Sequence, residues 1–407
     1  MPDVLSESFA PHSGCFGSGR GDSLTSEWDV ALERSTVNNV PAVWNDLERY
    51  PYIEGIRKSL REAKLKVIEN MDVYLKQAME SVSRSGGKPH FARNAEEALK
   101  IVDGIVGDSK HIIMGKSSVA FEIGLRKHLA ETGRDVWETD FGELLLQISN
   151  EEPSHIITVA LHMTREAFGR SIHDRLQKSI DEKSSATDMA AVVRSFLSEK
   201  YQKAEVGITG ANAVAADTGS VALVENEGNI RMTTVKPAVH IVVTGIDKIV
   251  PTMQDAFHEI MVQSAYAGSY PPTYINFTTG PSSTGDIESE IVRPATGPKE
   301  VHVVFLDNGR MEAAGDKVLR QSLLCVRCGR CYFACPVYGI LGKDWGKPPY
   351  SGPTGVMWHS IVTGDSSYAH LCTHSGGCKE VCPMDIDIPR VMEYLKWKDM
   401  QGMTKGK

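Results

Sequence analysis

Cys325-Val326-Arg327-Cys328-Gly329-Arg330-Cys331-Tyr332-Phe333-Ala334-Cys335-Pro336 sets four thiols in the frame C-x2-C-x2-C-x3-C-P. This is the bacterial ferredoxin spacing, in which three cysteines wrap one iron–sulfur cluster and the fourth, before proline, ligates its neighbour. A second stretch, Cys372-Thr-His-Ser375-Gly-Gly-Cys378-Lys-Glu-Val-Cys382-Pro383, repeats the frame with Ser375 at the second ligand position. Cross-ligation then predicts two sites. The first takes Cys325, Cys328, Cys331 and the distant Cys382. The second takes Cys372, Cys378 and the distant Cys335, with Ser375 at the open corner. Four thiolates suit a [4Fe-4S] cluster. Three suit a [3Fe-4S] cluster, or a non-standard [4Fe-4S] cluster with a non-cysteine ligand or an open iron. Simple loss of the ligand, leaving a labile or empty second site, is the plainer alternative.

Zinc is a poorer fit, because structural zinc sites close with four ligands and seven cysteines stand here in a duplicated frame. Disulfides are disfavoured by the near absence of cysteine elsewhere and of any secretory pattern at the N-terminus. Cys15, alone in a Gly/Ser-rich stretch, reads as a free thiol.

The 407 residues allow two or three domains. A net charge of −8 argues against nucleic-acid binding. No apolar run reaches the roughly 18 residues of a membrane-spanning helix. The expected location is the cytoplasm, with membrane association only through partners.

Outward from the cysteines, residues 337–371 hold a loop around KPPYSGPTG and a short helix at GVMWHSIVTG. Upstream, strand and helix patterns alternate, as in a parallel sheet covered by helices. KHIIMG (110–115), DVWETD (135–140), Ser220–Val224, VHIVVTG (239–245), TYINFTTG (273–280) and VHVVFLDNG (301–309) read as strands. NAEEALKIVDGIV and FGELLLQI read as helices, and Ser117 or Ser118 as the cap of VAFEIGLRKHLAETG. Residues 55–83 have helical apolar spacing, 155–205 read as mostly helical, 281–299 as a polar loop and 1–40 as an extended arm.

Several ordered blocks resemble the lactate-utilisation (LUD) domain, and their order resembles lactate-utilisation protein B. They are Pro153-Ser-His155-Ile, Leu161-His162-Met-Thr-Arg165-Glu166, Gly207-Ile-Thr-Gly210-Ala-Asn212, Asp217-Thr218-Gly219-Ser220, Glu225-Asn-Glu227-Gly228-Asn229-Ile-Arg231, Thr279-Gly280-Pro281 and Asp307-Asn308-Gly309-Arg310. The resemblance implies a NagB/RpiA/CoA-transferase-like α/β fold followed by a mainly α-helical ferredoxin-like domain with two iron–sulfur clusters. The expected boundaries are 1–60 for the arm and the start of a helical extension, 61–315 for the LUD-type domain and 316–407 for the ferredoxin domain. The resemblance also implies electron transfer during oxidation of lactate or another 2-hydroxy acid. The implied partners are a second LUD protein, a cysteine-rich-domain protein or a flavoprotein, and an acceptor protein or quinone-linked membrane partner. The second motif departs from this family. It is similar to succinate dehydrogenase and fumarate reductase iron–sulfur subunits, which pair a [4Fe-4S] with a [3Fe-4S] cluster.

Within the α/β part, Lys116, Gly210, Asn212, Thr218, Gly219 and Ser220 are candidates for an anion pocket at strand ends. Tight turns are the alternative reading of the glycines. His162, Glu227 and Arg231 are candidate catalytic groups, with Glu225 and His155 beside them; a solvated turn and core or interface histidines are the competing readings. Neither a G-x4-G-K-[ST] phosphate loop nor a G-x-G-x-x-G dinucleotide fingerprint is present. Three functions therefore stand: a non-catalytic electron-transfer subunit, an enzyme whose LUD domain oxidises or reduces a small organic acid, and a relay or scaffold in another complex of heterodisulfide-reductase or fumarate-reductase type.

Overall fold

Runs of Val, Ile and Leu between polar turns build two large sheets, beside two small hairpins, in the computed structural model, which describes residues 27–402. The strands of the α/β part in chain order are β1 (Lys88–Ala92), β2 (His111–Met114), β3 (Asp135–Glu138), β4 (Val206–Thr209), β5 (Ala213–Ala215), β6 (Val221–Glu225), β7 (Val239–Gly245), β8 (Ile249–Val250), β9 (Tyr274–Thr278), β10 (Thr284–Ile287), β11 (Glu290–Val292) and β12 (Glu300–Leu306). Six of them form a wholly parallel sheet in the order β1-β12-β7-β4-β2-β3. The central strands β4, β7 and β12 are buried along almost their whole length, as expected of a parallel sheet covered on both faces. The second sheet, β8-β5-β6-β9, is mixed and packs on the helix Met253–Tyr266.

Several expectations meet corrections. The helical stretch 55–83 is two helices, Ile53–Glu69 and Met71–Arg84, broken at Asn70, whose backbone leaves the helical region (φ −136°, ψ 45°). Residues 27–40 are not an extended arm. They belong to the helix Glu27–Arg49, which buries Ala31, Leu32 and Val43. Trp28 anchors this helix edge-on to Tyr338 at 5.6 Å and donates its Nε1–H to the Gly339 carbonyl. The run is polar and its apolar face narrow, so tertiary packing supplies what propensity lacks. The rest of the arm, with Cys15, lies outside the described residues. The stretch 155–205 is helical only over Arg165–Arg175 and Ala186–Lys203. The expected polar loop 281–299 contains the hairpin β10–β11. Its turn puts Glu288 and Ser289 at φ +53° and +63°, the backbone of a type I′ turn without its usual Asn-Gly signal.

The C-terminal region is largely helical: Arg330–Phe333, Pro336–Leu341, Gly352–Thr363, Gly377–Glu380 and Ile388–Met400. Trp345, Trp358, Tyr332 and Tyr338 are buried in it, within one hydrophobic core that runs on into Val303, Phe305 and Leu60 of the α/β part. Among the described residues no helix is long and apolar enough to cross a membrane.

Candidate iron–sulfur centre and adjoining pocket

The two cysteine stretches fold alike. A 3-10 turn, Leu319–Leu324, delivers Cys325 at φ −61°, ψ 120°, and another, Ser367–Leu371, delivers Cys372 at φ −67°, ψ 124°. Two residues on, Arg327 and His374 both adopt positive φ (+59° and +56°), followed by Gly329 and Gly376 (+76° and +86°). The backbone N–H of Arg327 donates to Cys325 Sγ at 3.3 Å, and that of His374 to Cys372 Sγ at 3.5 Å. Short helices then carry Cys331 and Cys378. Ser375 therefore stands at the backbone position that Cys328 occupies in the first loop.

The thiols fall into two groups. Cys325, Cys328, Cys331 and Cys382 line one recess, walled by Met384, Ile386 and Ile388. Cys335, Cys372 and Cys378 form the other, each within electrostatic reach of another member, and Cys378 also acts on Cys331, so the groups adjoin. Burial pushes the Cys378 and Cys382 thiols up to about 12, reinforced by their neighbouring thiols. Thiolates in such a place require positive charge among them, which iron supplies. Peptide N–H groups directed at sulfur suit the same ligand, since they are one of the levers on cluster potential. Among the described residues no group of three or more His, Cys, Asp or Glu side chains is placed to hold a metal ion; the thiols surround a recess.

The first cysteine loop is clamped to the α/β part. His155 Nδ1 accepts the N–H groups of Ile157 and Thr158. Its Nε2 therefore carries the proton and donates to the Gly329 carbonyl at 3.2 Å. Burial lowers His155 to about 4, so it is a neutral docking residue at pH 7. A Cβ on Gly329 would meet His155 at 2.5 Å, which explains glycine there beyond its positive φ. Tyr338 and Ser351 donate to the Ser154 carbonyl at 2.7 and 3.1 Å.

A cavity of about 250 Å³ opens beside this clamp, past the C-terminal ends of β2 and β4, the usual ligand position in open α/β sheets. Lys116, Gly210 and Asn212 line it, as does Glu227. Gly210 is required by close approach, since a Cβ would lie 2.8 Å from Ser117 Oγ. Thr218, Gly219 and Ser220 stand elsewhere: Gly219 packs against the backbone of Ser81 and Val82, and Ser220 shares a hydrogen bond with Thr279. Arg231 pairs with the buried Glu225 at 3.2 Å and stacks on Tyr274. His162 faces Ser154 and Glu151, away from the cavity.

Sequence reasoning misses a buried charge network behind the cavity. Arg310 pairs with Glu122 at 2.8 Å and Asp247 at 2.6 Å, and Arg327 reaches Asp247 at 3.4 Å. Glu259 takes Lys64 at 3.0 Å and Lys248 at 3.3 Å. Burial alone would raise Glu122 and Asp247, yet Arg310 holds both below the usual carboxylate range. The only trace in the sequence is Asp247-Lys248 inside an apolar run and Arg310 in the DNGR block.

At the cavity's flank, Glu143 is pushed up to about 7 by burial and by Asp140. A carboxyl raised in this way stabilises the fold fully below its ordinary value of about 4.3 and loses that contribution as pH rises towards 7. Glu143→Gln is therefore expected to unfold like the parent near pH 4. At pH 8 it should be more stable, by up to about 2 kcal/mol after allowing for partial exposure. Urea unfolding at both pH values checks this, and an equal effect at both would count against it.

Duplicated cysteine loops fixed to a parallel α/β sheet define a two-part iron–sulfur protein. The LUD domain model matches residues 75–306, and a 4Fe-4S dicluster domain model matches residues 321–386. The chain belongs to the LUD-domain family, as an iron–sulfur protein of the lactate utilization protein B type. It is 35% identical over 346 residues to the "Uncharacterized electron transport protein YkgF" of Escherichia coli, covering 83% of this chain and 70% of the relative. It is 37% identical over 347 residues to "Lactate utilization protein B" of Bacillus velezensis and 36% identical over 347 residues to that of Bacillus subtilis, with the same coverage. A solved DUF162 family protein from Deinococcus radiodurans aligns over 58% of this chain and 97% of its own length at 14% identity and a TM-score of 0.32, too weak a likeness to carry an argument.

Proposed function

We propose that the chain is an electron-transfer iron–sulfur subunit of a multi-subunit, lactate-utilisation-type oxidoreductase. The observation that carries this reading is the pair of adjoining cysteine groups on two loops of the same backbone geometry. In it, Cys325, Cys328, Cys331 and Cys382 hold a [4Fe-4S] cluster, and Cys335, Cys372 and Cys378 hold a [3Fe-4S] or non-standard four-iron cluster. Such clusters, when bound, take up and release electrons at potentials tuned by charge and hydrogen bonds. The chain's own residues hold the cysteine loops in place, shield the first site with Met384, Ile386 and Ile388, and fix its loop to the α/β part through His155.

The LUD-type domain is assigned to residues 61–315, with a NagB/RpiA/CoA-transferase-like fold, and the ferredoxin-type domain to 316–407. The electron source is another subunit: a second LUD protein, a cysteine-rich-domain protein or a flavoprotein. The acceptor is a protein or a quinone-linked membrane partner, and the protein works in the cytoplasm. Relatives named for lactate utilization and for electron transport support this reading.

Low-temperature EPR of anaerobically cluster-loaded protein tests it. An oxidised three-iron signal beside a reduced four-iron signal is expected. Protein that retains no iron at either site would overturn the proposal.

A further inference from the structure

The two cysteine loops share a backbone but not a charge. The first places Arg327 two residues after Cys325 and Arg330 two residues after Cys328. The second has His374 and Gly377 at the same places. Arg327 and Arg330 are both buried, whereas His374 and Ser375 are exposed to solvent. No side chain enters at Gly377, since a Cβ there would lie 2.7 Å from the Ala334 carbonyl oxygen. Beside the second loop, Lys396 donates to the Cys372 carbonyl at 2.9 Å, but it is only half-buried and open to screening by salt.

The arginines around the first cysteine group differ in what balances them. Arg327 and Arg310 are matched by Glu122 and Asp247. Arg57 and Arg61 hold the carbonyls of Pro383 and Met384, just after Cys382, and are matched by Glu54 and Asp385. Arg330 stands apart. Among the described residues the acidic groups within its reach are the Cys328 thiol and the Tyr266 hydroxyl. It is 5% exposed, and its Nη1 is buried with no acceptor among the described residues. It lies over the Trp44 ring at 5.6 Å and lines the recess with Cys325, Cys328, Cys331 and Cys382. A buried guanidinium with an open donor calls for an anion. A cluster held by four thiolates is one, and it gains negative charge on reduction.

We propose that Arg330 raises the reduction potential of the first cluster, its buried charge and open N–H favouring the reduced state. The inference rests on the electron-transfer reading and deepens it. Two effects compete at this site. The apolar wall of Met384, Ile386 and Ile388 disfavours the extra negative charge of the reduced cluster. Arg330, inside the same wall, attracts that charge with little screening. Charge, hydrogen bonds and burial are the levers a protein has on such a potential, and Arg330 supplies the first two against the third. The second loop has no counterpart, because the Ala334 carbonyl closes that position. The two clusters are thus set apart in potential by the chain itself.

Redox titration of the full cluster-loaded chain, followed by EPR of the reduced four-iron signal, is the test. Arg330→Gln is expected to disfavour reduction of the first cluster by about tenfold, a downward shift of ~59 mV for one electron, at unchanged iron content. Arg330→Lys keeps the charge without the planar donor and should shift it less. The midpoint of the second cluster should stay in place in both variants. If Arg330→Gln does not retain its first cluster, Trp44→Glu carries the test. Trp44 is 51% exposed, so a carboxylate is tolerated there, beside the guanidinium, and should lower the first midpoint more than Trp44→Gln does. A first midpoint unmoved in Arg330→Gln, equal shifts in the Gln and Lys variants, equal shifts of both clusters, or equal midpoints in Trp44→Glu and Trp44→Gln would each overturn the inference. Parent protein that holds no iron would instead sink the electron-transfer reading, so the two failures are distinguishable.

Discussion

Ser375→Cys is expected to turn the second cluster from three irons into four, raising the iron content of loaded protein by about one atom per chain. The oxidised three-iron EPR signal should vanish and a second reduced four-iron signal should take its place. The expectation rests on backbone identity. Ser375 lies between His374 at φ +56° and Gly376 at φ +86°, as Cys328 lies between Arg327 at +59° and Gly329 at +76°. The new side chain differs only in sulfur for oxygen, so it enters the corner without a new fold. The reverse change, Cys328→Ser, should strip one iron from the first site. An unchanged spectrum in Ser375→Cys, or two four-iron signals in the parent, would refute the assignment of Ser375 as an open corner.

Arg310→Met is expected to destabilise the protein by about 3–5 kcal/mol at pH 7. Arg310 is fully buried, donates to Glu122, Asp247 and the Asp307 carbonyl, and lies over Trp358 at 5.0 Å. Methionine fills part of its volume but leaves Glu122 and Asp247 short of a cation. The pH dependence has a definite sign. Both carboxyls are held below their ordinary values in the folded chain. Their contribution is fully present above the ordinary carboxylate range, near pH 4, begins to fade as pH falls through it, and is lost only below their lowered values. The deficit of Arg310→Met should therefore be full at pH 7 and smaller at pH 4. Urea unfolding of parent and variant measures it, and a deficit under about 1 kcal/mol, or one that grows on acidification, would remove the network from its structural role.

Much of this was legible because it is local. Cysteine spacing is a short-range property, and C-x2-C-x2-C-x3-C-P dictates a loop whichever body it is attached to. Buried parallel strands also announce themselves as unbroken apolar runs, as at Val239–Gly245 and Glu300–Leu306. Polar segments were less legible. The helix Glu27–Arg49 is held by Trp28 against Tyr338, a contact more than 300 residues away in sequence. The hairpin turn at Glu288-Ser289 lacks the residues that normally mark it.

The anion-pocket candidates show the limit in one place. Lys116, Gly210 and Asn212 reach the cavity because they follow the ends of the adjacent strands β2 and β4, whereas Thr218, Gly219 and Ser220 lie beside the helix Met71–Arg84. Both sets read alike as glycine-dotted polar turns. Strand order separates them, and strand order is set by long-range pairing. The sequence by itself determined the two cysteine loops, their missing ligand and the α/β class, because spacing and periodicity act over a few residues. Only the tertiary structure decided that Arg327, from the first cysteine loop, would join Lys248, Asp247 and Arg310 in one buried network. Charges far apart in the chain come within reach of each other only when the sheet and the cluster region close on a common core, and low polarizability there makes each ion pair count.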